Sequence, residues 1–366
     1  MRRTVLAVTL VLGACGDDSG RDSAGGSSVT VNPGTISLSG GSAPTEGGMT
    51  EGTGSGGPVG SEGGSSGGSE VGDVDTGSLP KFDFGQEPDV AAPEPVSGCT
   101  KVDLLFVVDS SGSMADEQVT LVQSFPDFVT EMQTKLADTD SYHVGVITSD
   151  AYPFNEGVCA IDGALVTQTG GADASNAVCG PFSSGKRWMD EGEPNLNMKF
   201  SCAGQVGTNG DGNERPMYTM QQAIGPGLNG AGACNDGFIR QDALLVVVLI
   251  TDEEDDHEQI ACGMVAQPGS PGEPADWFNG MVAAKGGVET NIVVLSLIGP
   301  TLNPCPALDK CSGGITGAEI SPRIVQFTEM FTYGSVGQIC APSYKQFFSD
   351  AISVIEGACE NFMPPL

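Results

Sequence analysis

The sequence predicts an α/β fold: a doubly wound, mostly parallel central sheet flanked by helices. Three observations carry this reading. Residues 102–108 (VDLLFVV), 244–250 (LLVVVLI) and 291–298 (NIVVLSLI) are apolar almost throughout, as strands buried on both faces are. Segments with helical spacing of apolar residues separate them. All of it falls within residues 99–366, enough chain for one sizeable domain.

Two different segments precede that domain. Residues 1–14 read as an export signal, with Arg2 and Arg3 as its charged start and an apolar run over residues 5–12. That run is too short to span a bilayer. Leu12-Gly13-Ala14-Cys15 fits a bacterial lipoprotein cleavage box, so Cys15 is the expected site of lipidation. Gly16 rather than Asp follows it, which resembles lipoproteins sent to the outer membrane. Residues 15–98 are Gly, Ser, Pro and acid with few large apolar side chains. Burial there could not offset the entropy of ordering the backbone, so a disordered tether is expected. As a random coil it would span on the order of 50 Å.

Within the domain the elements follow in order. The first strand, 102–108, leads into a helix on Val119, Val122, Phe125, Val129, Met132 and Leu136, with a kink or break expected near Ser124 because of Pro126. A second strand covers 142–150 and closes a βαβ unit. Residues 151–207 show little periodicity and read as a disulfide-pinned insertion, with 164–168 (ALVTQ) a short edge strand. A helix is expected over 216–224, then the most apolar strand, 244–250, which must be central. Trp277, Phe278, Met281 and Val282 mark a short helix before the strand at 291–298. A helix over 322–331, an edge strand over 335–341 and a helix over 344–355 complete the chain.

Composition narrows the function. The formal net charge is −32; residues 1–98 hold 13 of the 47 acids and 4 of the 15 bases. The domain is therefore strongly acidic, which disfavours nucleic acid and suits cations or basic partners. Of eleven cysteines, ten lie in the domain: Cys99, Cys159, Cys179, Cys202, Cys234, Cys262, Cys305, Cys311, Cys340 and Cys359. An even number behind an export signal fits five disulfides. A zinc site is disfavoured, with no C-x-x-C and only two histidines, His143 and His257. His143 sits in a strand pattern and reads as a packed residue.

The chemistry concentrates at two strand exits. The first strand ends in Asp109-Ser110-Ser111-Gly112-Ser113, which puts a carboxylate and two hydroxyls on one turn. These are hard oxygen ligands suited to Mg²⁺. The central strand ends in Thr251-Asp252-Glu253-Glu254-Asp255-Asp256-His257-Glu258. Open α/β sheets bind ligands at such strand ends. If the two strands are neighbours, Asp109 and Asp252 face one point, and a cation between them would relieve their repulsion.

Here the chain resembles a von Willebrand factor type A domain. Asp109-x-Ser111-x-Ser113 matches the first segment of that family's metal-ion-dependent adhesion site (MIDAS), and Thr251-Asp252 matches the last. The middle segment is a Thr in a Gly-rich loop before a helix, for which Thr208 is the candidate, Thr219 lying inside the expected helix. The resemblance implies a metal held by Asp109, Ser111, Ser113, Thr208 and Asp252, with one position open for a carboxylate of a protein ligand. It implies Mg²⁺, or Mn²⁺ or Ca²⁺. The family's Gly after the last Asp is Glu253 here, and the loop beyond is unusually acidic. That loop is either a second cation site around Asp255 and Asp256 or a solvated charge run.

The expected protein is thus a cell-envelope lipoprotein, lipid-anchored at the outer membrane on its periplasmic or outer face. It binds a protein and is not an enzyme. A metal-dependent hydrolase using His257, and a structural surface protein with a non-functional site, are the alternatives. In such folds helices run antiparallel to strands, which brings Cys359, at the end of the last helix, to the edge where Cys99 enters. A Cys99–Cys359 disulfide is expected.

Overall fold

In the computed structural model the described residues are 98–135, 139–255, 268–302, 305–308 and 317–364. The export signal, the lipidation site at Cys15, the tether, Leu136, Cys262, Cys311 and the loop from Asp256 through His257 and Glu258 lie outside them.

Six strands form one sheet: β1 (Lys101–Val108), β2 (Ser141–Thr148), β3 (Met189–Asp190), β4 (Leu244–Ile250), β5 (Ile292–Ile298) and β6 (Gly334–Gln338), in the order β3-β2-β1-β4-β5-β6. All neighbours pair in parallel except β2 with β3. The most apolar strand, β4, is central and wholly buried. The helices are α1 (Ala115–Lys135), α2 (Leu196–Gly204), α3 (Pro216–Ile224), the single turn α4 (Pro226–Asn229), α5 (Pro274–Ala284), α6 (Pro322–Glu329) and α7 (Lys345–Glu360).

Strand alternation sends side chains to two cores. Leu104, Phe106 and Val108 pack with Leu121, Phe125 and Phe128 of α1, Phe200 of α2 and Phe348 of α7. Leu105 and Val107 pack with Met217 and Met220 of α3, Trp277 of α5 and Phe327 of α6. The sheet is therefore covered on both faces, as a parallel sheet requires.

Three expectations are corrected. Helix α1 runs unbroken through Pro126. Phe125 and Phe128, both buried, hold its two halves to the same core, which outweighs the one backbone bond that proline lacks. Its buried apolar residues are Leu121, Phe125, Phe128, Val129 and Met132, while Val119 is exposed. The edge strand beside β2 is β3, not residues 164–168. Val166 N–H donates to Val146 O at 2.8 Å, but Gln168 forms only an isolated bridge with Val178. Helix α2 was not legible: it is nine residues long and Gly-terminated, placed by Phe200, whose ring lies 3.4 Å from Phe125 and 4.7 Å from Phe106 between centroids.

Four disulfides join described residues: Cys99–Cys359, Cys159–Cys234, Cys179–Cys202 and Cys305–Cys340. The first ties the entry of β1 to the last turn of α7, where Cys99 N–H also donates to Cys359 O at 2.9 Å. Among the described residues no helix is long and apolar enough to cross a membrane.

Candidate metal centre

Strands β1 and β4 are neighbours, with Val108 opposite Ile250, so their exits emerge side by side. Asp109 N–H still donates to Ile250 O at 2.9 Å, and then the chain turns. The turn follows from the sequence: Asp109 Oδ1 accepts the Ser111 N–H at 2.7 Å, a local bond that Asp makes two residues on. Asp109, Ser110, Ser111 and Ser113 are all buried. The Ser111 and Ser113 hydroxyl oxygens lie 3.2 Å apart, so both hydroxyls face one point.

Asp109 is held from several sides. Thr251 Oγ1 donates to its Oδ2 at 2.7 Å, and the Ser149 hydroxyl oxygen, just beyond β2, lies 3.3 Å from its Oδ1. Gln118 donates to the Asp109 carbonyl at 2.9 Å and also grips Gly207 by both its N–H and its carbonyl. Gly210 N–H donates to Ser110 O at 2.9 Å. A Cβ at Gly210 would sit 2.4 Å from the Ser110 hydroxyl, so only glycine permits this approach. Residues 207–210 are thereby laid against the Asp109 turn.

Asp252 is the contrast. It is fully buried, and neither carboxylate oxygen has a hydrogen-bond partner among the described residues. Burial raises its pKa and the Asp109 charge raises it further; the Ser113 hydroxyl offsets part of the rise without reaching hydrogen-bonding geometry. Glu214, in the loop before α3, is buried as well. One oxygen accepts from the Ser149 hydroxyl, and Oε1 has no partner. Burial, then the neighbouring Asp109, pushes its pKa well above the usual carboxylate range. Glu117, in the first turn of α1, has an unpartnered Oε2 and is raised to about 9, first by burial and then by its contact with Asp116.

The structure thus gathers Asp109, Ser111, Ser113 and Asp252. Thr208 stands differently: half-buried, its hydroxyl donates to Asp173 at 2.8 Å and its N–H to Ala172 O at 3.0 Å. Thr219 bonds Pro216 O within its own helix. Asp255 is buried with its oxygens taken by the Met217 N–H, the Ser270 N–H and the Ser270 hydroxyl, which fastens the start of α3. Its proposed cation partner, Asp256, is outside the described residues. Ser149, Glu214 and Glu117 were not found from the sequence. A lone acid beside Arg215 or Asp116 reads as a solvated charge until the fold buries it.

Among the described residues no three His, Cys, Asp or Glu side chains converge to form a cage on their own. A cation here would depend on serine hydroxyls as well as carboxylates. The donor set fits a hard divalent ion: all oxygens, with buried carboxylate atoms left unsatisfied.

No known protein family matches the sequence, and no curated protein matches it. Among solved structures the chain is similar to proximal thread matrix protein 1 from the mussel byssus. That match is 12% identical over 71% of this chain and 49% of the other, with a TM-score of 0.35. The same protein with a zinc-occupied MIDAS motif matches at 14% identity over 72% and 48%, TM-score 0.33. The SpaC pilus adhesin of Lactobacillus rhamnosus GG in its open conformation matches at 15% identity over 72% and 30%, TM-score 0.32. The chain spans about half the length of the mussel protein and under a third of the adhesin. Likenesses this weak carry no functional argument, and the site is read from its own residues.

Proposed function

We propose that the domain is a cation-dependent protein-binding module and not an enzyme. One observation supports this above the others: both Asp252 oxygens are buried without a partner beside Asp109. Two adjacent buried carboxylates are costly unless a cation or a proton neutralises them. Asp109, Ser111, Ser113 and Asp252 would hold Mg²⁺, with Mn²⁺ or Ca²⁺ as substitutes, and Glu214 would supply a third charge behind Asp109. When bound, such an ion offers a Lewis-acidic point for an anionic oxygen, here a carboxylate of a protein ligand.

The chain's own residues prepare that point. Thr251, Ser149 and the Ser111 N–H fix Asp109, so little reorganisation is needed on binding. The described histidine, His143, is packed against Trp188 and Phe238, and it bonds the Phe238 carbonyl at 2.8 Å. It is thus engaged away from Asp109. With lipidation at Cys15, the module would be held at the outer membrane.

The test has two parts. Calorimetry with Mn²⁺ should show one site in the wild type, lost in Asp252→Asn and Asp109→Asn. Equal affinity in both variants would remove the assigned centre. Capture from envelope extract should yield a protein with Mg²⁺ that EDTA releases; capture indifferent to EDTA would remove the metal-bridged reading.

A further inference from the structure

A second candidate site shares no residue with the metal centre. A hollow of about 730 Å³ opens in the disulfide-pinned insertion, between the Cys159–Cys234 bridge and the segment from Val178 to Arg187. Its volume falls in the range of small-molecule sites, roughly 300–1,000 Å³. Val158, Val178 and Ile161 stand at it 87%, 72% and 42% exposed, an unusual concentration of solvent-facing branched apolar residues.

Arg187 is the informative lining residue. Its Nε and Nη2 donate to Leu165 O at 3.1 and 2.8 Å, and Nη2 donates to Asn155 Oδ1 at 2.6 Å. Both acceptors are neutral. Among the described residues no carboxylate lies within ion-pairing distance of Arg187, and its Nη1 donates to none of them. Buried Asn155 fixes the surroundings, donating to Cys159 O and Leu165 O at 3.0 Å each. The guanidinium is therefore pre-oriented with one end unused. Burial lowers its pKa, and the Glu156 charge offsets this only in part. The other lining cation, Lys186, is paired with Asp236 at 2.8 Å.

We infer that this hollow binds an apolar-tailed monocarboxylate, its carboxylate on Arg187 Nη1 and its tail against Val158, Ile161 and Val178. One cation with no carboxylate of the described residues within ion-pairing distance matches one negative charge. A phosphate dianion would bring excess charge towards Glu156 and Asp236, and a neutral ligand would leave the guanidinium without a counter-ion.

The probe is sodium octanoate, titrated calorimetrically into the full chain in EDTA. EDTA removes carboxylate binding through the metal centre, so failure here is distinguishable from failure of the proposed function. Saturable one-site binding is expected with Kd on the order of 1 mM, the scale for a ligand of that size. Octanamide and octyl phosphate should bind at least about tenfold more weakly. Arg187→Gln should lose about tenfold, and Val178→Asp, at an exposed position, at least about threefold with an unchanged circular dichroism spectrum. If Arg187→Gln does not fold, octanamide and Val178→Asp decide. Absence of saturation, octanamide equal to octanoate, octyl phosphate tighter than octanoate, or wild-type affinity in a folded variant overturns the inference.

Discussion

Strand β1 carries a buried carboxylate near each end, and the two are treated in opposite ways. Asp103, near the start, is fully buried against Arg240, whose Nε and backbone N–H donate to it at 2.8 and 2.7 Å, with Nη2 2.7 Å from Oδ1. Lys285, also buried, closes that end by donating to the carbonyls of Arg240 and Ala243 at 2.6 and 2.7 Å. About 20 Å along the strand, Asp109 meets Asp252 and Glu214 with no lysine or arginine among the described residues bonded to any of the three. Among the described residues the protein supplies a countercharge at one end and none at the other. Burial alone does not mark a site; burial without a partner does.

Breaking the completed end should have the largest effect. Arg240→Met leaves Asp103 buried and unpaired, and should cost about 3–5 kcal/mol in urea denaturation. Asp252→Asn in EDTA should be neutral or stabilising, since it removes a charge that has no partner. A comparable loss in both would erase the distinction.

Cys99→Ser with Cys359→Ser opens the bridge at the Asp103 end, and should cost about 2–5 kcal/mol. Mn²⁺ affinity at the far end should be unchanged in the folded fraction by calorimetry; its loss would mean the two ends are coupled.

Metal should act only on the open end. Saturating Mg²⁺ should raise the melting temperature of the wild type by several degrees, a gain on the order of 2–3 kcal/mol at about 100 times Kd. Asp252→Asn should show no such rise.

The pH dependence separates the ends further. Raised carboxyls bind protons more tightly in the folded state, so they favour folding at low pH and lose that contribution as pH rises through the folded pKa. Glu117, lifted from 4.5 to about 9, gives that slope across the neutral range, and Asp252 and Glu214 add to it. At the other end Asp103 titrates near 6. His143, lowered to about 4, destabilises only as pH falls below 6.5. Lys285, lowered to about 8, adds stability only as pH rises above that value. Between about pH 6.5 and 8, among the described residues, the slope comes chiefly from Glu117, Asp252 and Glu214. In EDTA, urea stability should fall across that window, and Glu117→Gln should flatten it. A flat wild-type profile would overturn the assignment.

The smallest effect belongs to Thr208. Its hydroxyl is spent on Asp173 at a half-buried position, so Thr208→Ala should change stability by about 0.5 kcal/mol or less. Mn²⁺ affinity should fall more in Glu214→Gln than in Thr208→Ala. The reverse order would restore Thr208 as the middle ligand.

The fold was legible because its signals are local. Nearly continuous apolar runs at β1, β4 and β5, short and rich in β-branched residues, read as buried parallel strands, and helical spacing identified α1, α3 and α7 within a few residues. Elements that depend on distant contacts were not legible: α2 exists because Phe200 fits between Phe106 and Phe125, and β3 because two residues reach the edge of β2. At the site, the sequence by itself determined Asp109, Ser111, Ser113 and Asp252. Their positions follow from strand ends, and the turn is set by a bond from Asp109 to its own neighbour. Only the tertiary structure decided that Glu214 is buried behind Asp109, that Thr208 bonds Asp173, that Asp255 fastens α3 and that Arg187 lines its hollow with no carboxylate of the described residues within ion-pairing distance. The physical reason is that a side chain's charge cost depends on which groups surround it, and those groups come from segments tens to more than a hundred residues apart in the chain.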